Sequence, residues 1–130
     1  MAGNLVVAAF RDGRRLKGTT LDFLPTRDAF HLNLSEGGVE TVAVADLKAL
    51  FFVRDLAGDF LREKRKDFPE GRKPLGRKIR VTFSDGEEIL GTTQGYDPSR
   101  KGFFVTPADP EANNERIFVI AASAREVNLL

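Results

Sequence analysis

Apolar and polar residues alternate in short runs along this chain. Ile79, Val81 and Phe83 alternate with Arg80, Thr82 and Ser84, a period of two that marks a half-buried β-strand. Asp85-Gly86 follows, and the chain returns through Ile89, Gly91 and Thr93. Asp-Gly between two such runs predicts a hairpin with a type I′ turn, which needs positive φ at both central residues. Asp12-Gly13 does the same after the apolar run that ends at Phe10. Gly18 and Gly91 fall inside the return strands, where glycine marks a bulge, a bend or a close backbone contact.

These two hairpins are copies of one pattern. Residues 6–30 and 79–103 align 73 positions apart with nine identities: Phe10/Phe83, Asp12/Asp85, Gly13/Gly86, Gly18/Gly91, Thr19/Thr92, Thr20/Thr93, Pro25/Pro98, Arg27/Arg100 and Phe30/Phe103. An internal repeat of this kind decides architecture before local propensity does. After each hairpin comes a Pro-containing turn, then a strand over Phe30–Leu34 or Phe103–Thr106, then a polar loop. The second loop is four residues longer, which moves the offset to 77. Each copy closes with apolar β segments, Thr41–Val44 and Leu47–Val53, or Arg116–Ile120 and Arg125–Leu130. The pattern predicts about five short strands per copy, the content of an SH3-like or Sm-like small barrel.

The expected organisation is therefore all-β. A first β-barrel repeat spans 1–53, a basic linker spans 54–76, and a second repeat spans 77–130. The two are expected to pack as one pseudo-symmetric body. Within the linker, Leu56, Phe60 and Leu61 have the spacing of one face of a short helix, and Pro69 would end it. Charge divides along the same lines. Residues 54–80 hold ten Lys or Arg against five Asp or Glu, whereas 81–130 hold four against eight. No run of about 18 apolar residues exists, and the N-terminus lacks the basic start of a signal peptide. The absence of cysteine excludes disulfides and thiolate chemistry, and a cytoplasmic location is expected.

The combination of VxFxDGxxxxGTT, a Pro-containing turn, GFFVTPADPEANNERIFV and ALFFVRDLAG resembles an uncharacterised bacterial family. Its members look like tandem small β-barrel units, alone or appended to larger regulatory proteins. That resemblance implies a regulatory role and transfers no catalytic residue. Asp85-Gly86, Gly91 and Gly95-Tyr96-Asp97 are similar to the first signature of the Sm-like RNA-binding fold. The Asn that follows the turn in that fold is absent here, and the closing strand Ile117–Ala121 has no Arg-Gly pair. The likeness is one of fold, without the nucleotide site.

A third resemblance concerns a ligand. Arg11-xxx-Arg15 followed by Asn33-Leu34-Ser35-Glu36-Gly37-Gly38 is similar to the PilZ pattern, RxxxR then (D/N)xSxxG, which holds cyclic di-GMP. It implies a set of Arg11, Arg15, Asn33, Ser35 and Gly38, in which guanidiniums grip phosphates and guanine edges. The second-copy counterparts are Ser84, Glu88 and Thr106, so the barrel itself does not need these residues. Lys64, Arg65 and Lys66 in the linker are candidate phosphate contacts for a nucleic acid. His31 is the single histidine, too few for a triad or a His-rich metal site. No HExxH, P-loop or GxSxG spacing occurs, so neither an enzyme nor a cofactor is expected.

Phe51-Phe52-Val53 and Phe103-Phe104-Val105 are apolar on both faces of a strand, and opposite faces cannot both enter one small core. Either the two repeats pack together or an aromatic face awaits a partner. The functional expectation is a non-enzymatic accessory or regulatory module acting through protein contacts. A cyclic di-GMP sensor and an Sm-like nucleic-acid binder are the alternatives. A protein partner is expected rather than nucleic acid or a membrane.

Overall fold

The computed structural model describes residues 3–54, 76–97, 99–108 and 114–130. Ten strands form one antiparallel sheet, and no α-helix occurs among the described residues. The strands are β1 (Asn4–Phe10), β2 (Arg15–Thr20), β3 (Ala29–Leu34), β4 (Val39–Ala43), β5 (Leu47–Val53), β6 (Arg77–Phe83), β7 (Glu88–Thr93), β8 (Gly102–Pro107), β9 (Asn114–Ile120) and β10 (Ala124–Leu129). Single 3₁₀ turns at Val44–Asp46 and Ala121–Ser123 precede β5 and β10. The expected linker helix over 56–69 lies outside the described residues.

The order across the sheet is β10-β6-β7-β8-β9-β5-β1-β2-β3-β4. The sheet is not closed, and β10 and β4 are its edges. Each half of the chain contributes five consecutive neighbours in one relative order: fifth, first, second, third, fourth. The halves meet where β5 pairs with β9, with Leu50 opposite Phe118 and Phe51 opposite Ile117.

Loop hydrogen bonds recur at the offsets read from the sequence. Arg11 N donates to Asp46 O at 2.9 Å, and Ser84 N to Ser123 O at 3.0 Å. Val44 N donates to Asp28 O at 2.8 Å, and Ala121 N to Lys101 O at 2.9 Å. Ser35 N donates to Lys17 O at 2.9 Å, and Ala108 N to Leu90 O at 2.9 Å.

The hairpin turns differ from the type I′ expectation. Gly13 and Gly86 have φ of 96° and 93°, but among the described residues no non-glycine residue has positive φ. Phe10 N donates to Arg14 O at 2.8 Å and Gly13 N to Phe10 O at 3.1 Å, which encloses a three-residue loop. Only its last residue is left-handed, the geometry of a type I turn followed by a glycine bulge. Asp12 and Asp85 have a different task from the one expected. Their Oδ1 atoms accept from Arg14 N at 2.9 Å and Glu87 N at 3.0 Å. Of the readings open for Gly18 and Gly91, close backbone contact is the one realised. A Cβ on Gly18 would collide with the Asn33 carbonyl, and one on Gly91 with that of Thr106.

Two cores lie on opposite faces. One takes Ile79, Val81, Phe83, Ile89, Phe103, Val105, Ile117 and Val119 from the second half, with Val7, Ala9, Ala49, Phe51 and Val53 from the first. The other takes Val6, Ala8, Phe10, Phe30, Leu32, Val42, Leu50 and Phe52 from the first half, with Phe118 and Ile120 from the second. Adjacent residues of β1, β5 and β9 thus enter different cores, as the alternation of a strand requires. Of the two alternatives read at Phe51-Phe52-Val53 and Phe103-Phe104-Val105, the open aromatic face is not the one found. Phe51, Phe52, Val53, Phe103 and Val105 are all buried, and Phe104 packs partly buried against the second core.

Candidate functional site

A cleft opens where the halves meet. Arg11, Lys48, Phe83, Ser84, Asp85 and Ser123 line it. Lys48 lies on β5 between the buried Leu47 and Ala49. Strand alternation turns it away from them toward the β6–β7 hairpin. Its Nζ donates to Asp85 Oδ2 at 2.7 Å and to Glu87 Oε1 at 2.5 Å, and sits 4.7 Å from the centre of the Phe83 ring. The Lys48 ammonium, with the Glu87 N–H, holds the Asp85 carboxyl below the ordinary carboxylate range. Ser123 Oγ lies 2.7 Å from both Lys48 O and Ile120 O, and its single proton serves one of them at a time. The lysine is a junction clamp, bonded to two carboxylates and not offered as a free amine.

A second cleft is lined by Arg15, Leu16, Lys17, Leu34, Ser35 and Glu36. It unites two of the PilZ-like residues, Arg15 and Ser35. Arg11 lines the junction cleft instead, because it opens the three-residue loop after β1, whereas Arg15 begins β2 beyond that loop. Asn33 is paired within the sheet opposite Thr19 and Val39. Gly38, at φ 90°, turns the β3–β4 loop, and its carbonyl accepts from Leu34 N at 2.9 Å. These two clefts divide Arg11 from Arg15 and Ser35, and neither includes Asn33 or Gly38. Lys64, Arg65 and Lys66 lie outside the described residues.

Sequence reasoning missed the partner of His31. His31 Nδ1 lies 2.6 Å from Asp22 Oδ2, and the His31 backbone N–H donates to Asp22 Oδ1 at 2.9 Å. The bond to His31 holds the Asp22 carboxyl below its ordinary range, with Thr20 Oγ a further donor. A carboxylate bonded to one ring nitrogen fixes the orientation of the imidazole. The imidazole is 62% exposed, however, and neither cleft includes it. The repeat carried the signal for this pair. The counterparts of Asp22 and His31 are Gly95 and Phe104, so both members depart together. Among the described residues, no group of three or more His, Cys, Asp or Glu side chains is placed to hold a metal ion.

The turn after β2 carries the most exposed large hydrophobic residue of the described chain. Leu21 is 67% exposed and Leu24 50%. Between them, Phe23 turns inward, with ring centroids 5.3 Å from Phe30 and 5.1 Å from Phe118. Arg116 stacks over Phe52 and Phe104 at 4.3 and 4.8 Å, covering another part of this aromatic cluster. No helix among the described residues is long and apolar enough to cross a membrane. The chain belongs to DUF6982, a family of unknown function, whose model matches residues 2–130. No curated protein and no solved structure matches it.

Proposed function

We propose that this chain is a non-enzymatic accessory module, built from two homologous small units of the SH3-like or Sm-like kind, that acts through protein contacts. The repeated strand order and the recurring loop bonds support the tandem architecture. The observation that carries the contact role is the pair Leu21 and Leu24. The equivalent positions of the second half are Gln94 and Asp97, yet the bond that closes the turn recurs. Arg27 N donates to Leu24 O at 3.0 Å, and Arg100 N to Asp97 O at 3.1 Å. The turn does not require leucine, so the two exposed leucines have another use. Apolar side chains beside an aromatic anchor are the usual centre of a protein interface.

The test compares affinity purification of the wild type with a Leu21→Ser, Leu24→Ser variant from the native host. A stoichiometric partner held by the wild type and lost by the variant, at unchanged melting temperature, is the expected result. Equal recovery with both proteins would refute the assignment.

A further inference from the structure

We infer that the two free edges of the sheet are built as stops, so that a second copy of this chain cannot continue it. The inference rests on the tandem-unit reading and goes beyond it. At the junction the fifth strand of one half, β5, pairs with the fourth strand of the other, β9. Among the described residues, the free edges are the remaining fourth and fifth strands, β4 and β10. Head-to-tail addition of another copy would therefore repeat the same junction, and closed or open assemblies of this heterologous kind need no new surface.

The residues at the edges oppose it. Ladder pairings fix the correspondence. Phe30 faces Val42 as Phe103 faces Val119. Val7 faces Phe51 as Arg80 faces Asn128. On the face that the junction buries, β5 presents Ala49 and Phe51, and the same places on β10 hold Glu126 and Asn128. Beside them, Val7 and Ala9 of β1 become Arg80 and Thr82 of β6. Phe118 and Ile120 of β9 become Thr41 and Ala43 of β4, and Phe104 of β8 becomes His31 of β3. The inward faces keep their apolar character, with Val81 and Ile79 at one end and Phe30, Leu32 and Val42 at the other. The loss is confined to the face that an added copy would cover.

The clamp is lost in the same way. The counterparts of Lys48, Asp85 and Glu87 are Arg125, Asp12 and Arg14. At an added junction Arg125 would meet Asp12 already paired with Arg14 at 3.4 Å, and the second cation would repel it. Val39 and Leu129 are the one apolar match across the edges, and they occupy the places of Arg116 and Phe52. Glu126 and Asn128 bond each other at 3.1 Å, yet burying that carboxylate and amide together with the Arg80 guanidinium outweighs the single apolar contact. Polar residues on edge strands are a general means of preventing further pairing.

The test grafts junction residues onto each edge separately. One protein carries Glu40→Ile and Thr41→Phe, and the other carries Glu126→Ala and Asn128→Phe. Light scattering should find wild type and each graft monomeric and the equimolar mixture a one-to-one dimer. A mixture of folded grafts that remains monomeric would overturn the inference. Edges without grafted apolar residues are tested independently by a Glu40→Cys, Asn128→Cys protein, which has no other thiol. These positions match the facing pair Ile117 and Phe51. Oxidation should leave this protein monomeric, and a ladder of disulfide-linked oligomers would overturn the inference.

Discussion

Lys48 reaches across the molecule to Asp85, Nζ to Oδ2, over 2.7 Å and 37 positions of sequence. With Glu87 and the Phe83 ring it holds the fifth strand of the first half against the hairpin of the second. Lys48→Met retains much of the stem and removes the charge. It should cost about 1–2 kcal/mol, the sum of a partly exposed pair and a cation–π contact. A double-mutant cycle with Glu87→Gln, read in urea, should show coupling between the two positions. Strict additivity would contradict the clamp.

The same contact predicts an acid limb. The folded Asp85 carboxyl titrates below its unfolded value because Lys48 stabilises the charged form. Stability from this group is complete above the ordinary carboxylate range near 4 and is lost as pH falls through the lower folded value. Asp22, held down by His31, acts in the same direction. Both groups are at least partly exposed, so the effect is screened. Lys48→Met should flatten the fall in melting temperature below about pH 5, and an unchanged acid limb would count against it.

Gly18 and Gly91 admit no side chain. Either one mutated to alanine drives a Cβ into a backbone carbonyl on the neighbouring strand. Each substitution should cost about 2–3 kcal/mol or more. Gly13→Ala meets no atom and pays only for its left-handed φ, about 1 kcal/mol. Equal losses at Gly13 and Gly18 would refute the close-approach reading.

Neither half should fold alone. The core around Phe83 borrows Val7, Ala49 and Phe51, and the core around Phe30 borrows Phe118 and Ile120. A fragment of residues 79–130 should therefore be poorly folded or self-associating. In the whole chain, Phe118→Ala should lower stability by about 3–5 kcal/mol in one cooperative transition. A monomeric fragment with dispersed amide resonances would show the cores to be independent.

Cyclic di-GMP should leave the melting temperature unchanged, since stabilisation requires a site in the native state and Arg11 and Arg15 line different clefts. Short RNA and DNA should likewise produce no shift at physiological salt. Micromolar binding of cyclic di-GMP in calorimetry, abolished by Arg11→Ala and Arg15→Ala, would reverse this expectation.

Alternation, the two Asp-Gly hairpins and the nine identities made all ten strands legible from the sequence. They also set the offsets at which the loop hydrogen bonds recur. These features are local or repeat a local pattern, so nearby residues suffice to specify them. The turn type was misread because Asp-Gly fits several hairpins, and the number of loop residues between paired positions decides among them. The candidate site was less legible. Arg11 and Arg15 stand four apart in sequence, but one opens the hairpin loop and the other begins the return strand, and they line different clefts. Asp22 and His31 stand nine apart and touch.

What only the tertiary structure decided is where each face goes. The pattern at Phe51-Phe52-Val53 says that both sides of β5 are apolar, and it is silent about what covers them. The pairing of β5 with β9 settles this by joining segments more than sixty residues apart. It places Phe51 in one core and Phe52 in the other. Periodicity specifies that a face is apolar because that depends on neighbours along the chain. The partner for that face depends on non-local register, which the assembled sheet alone supplies.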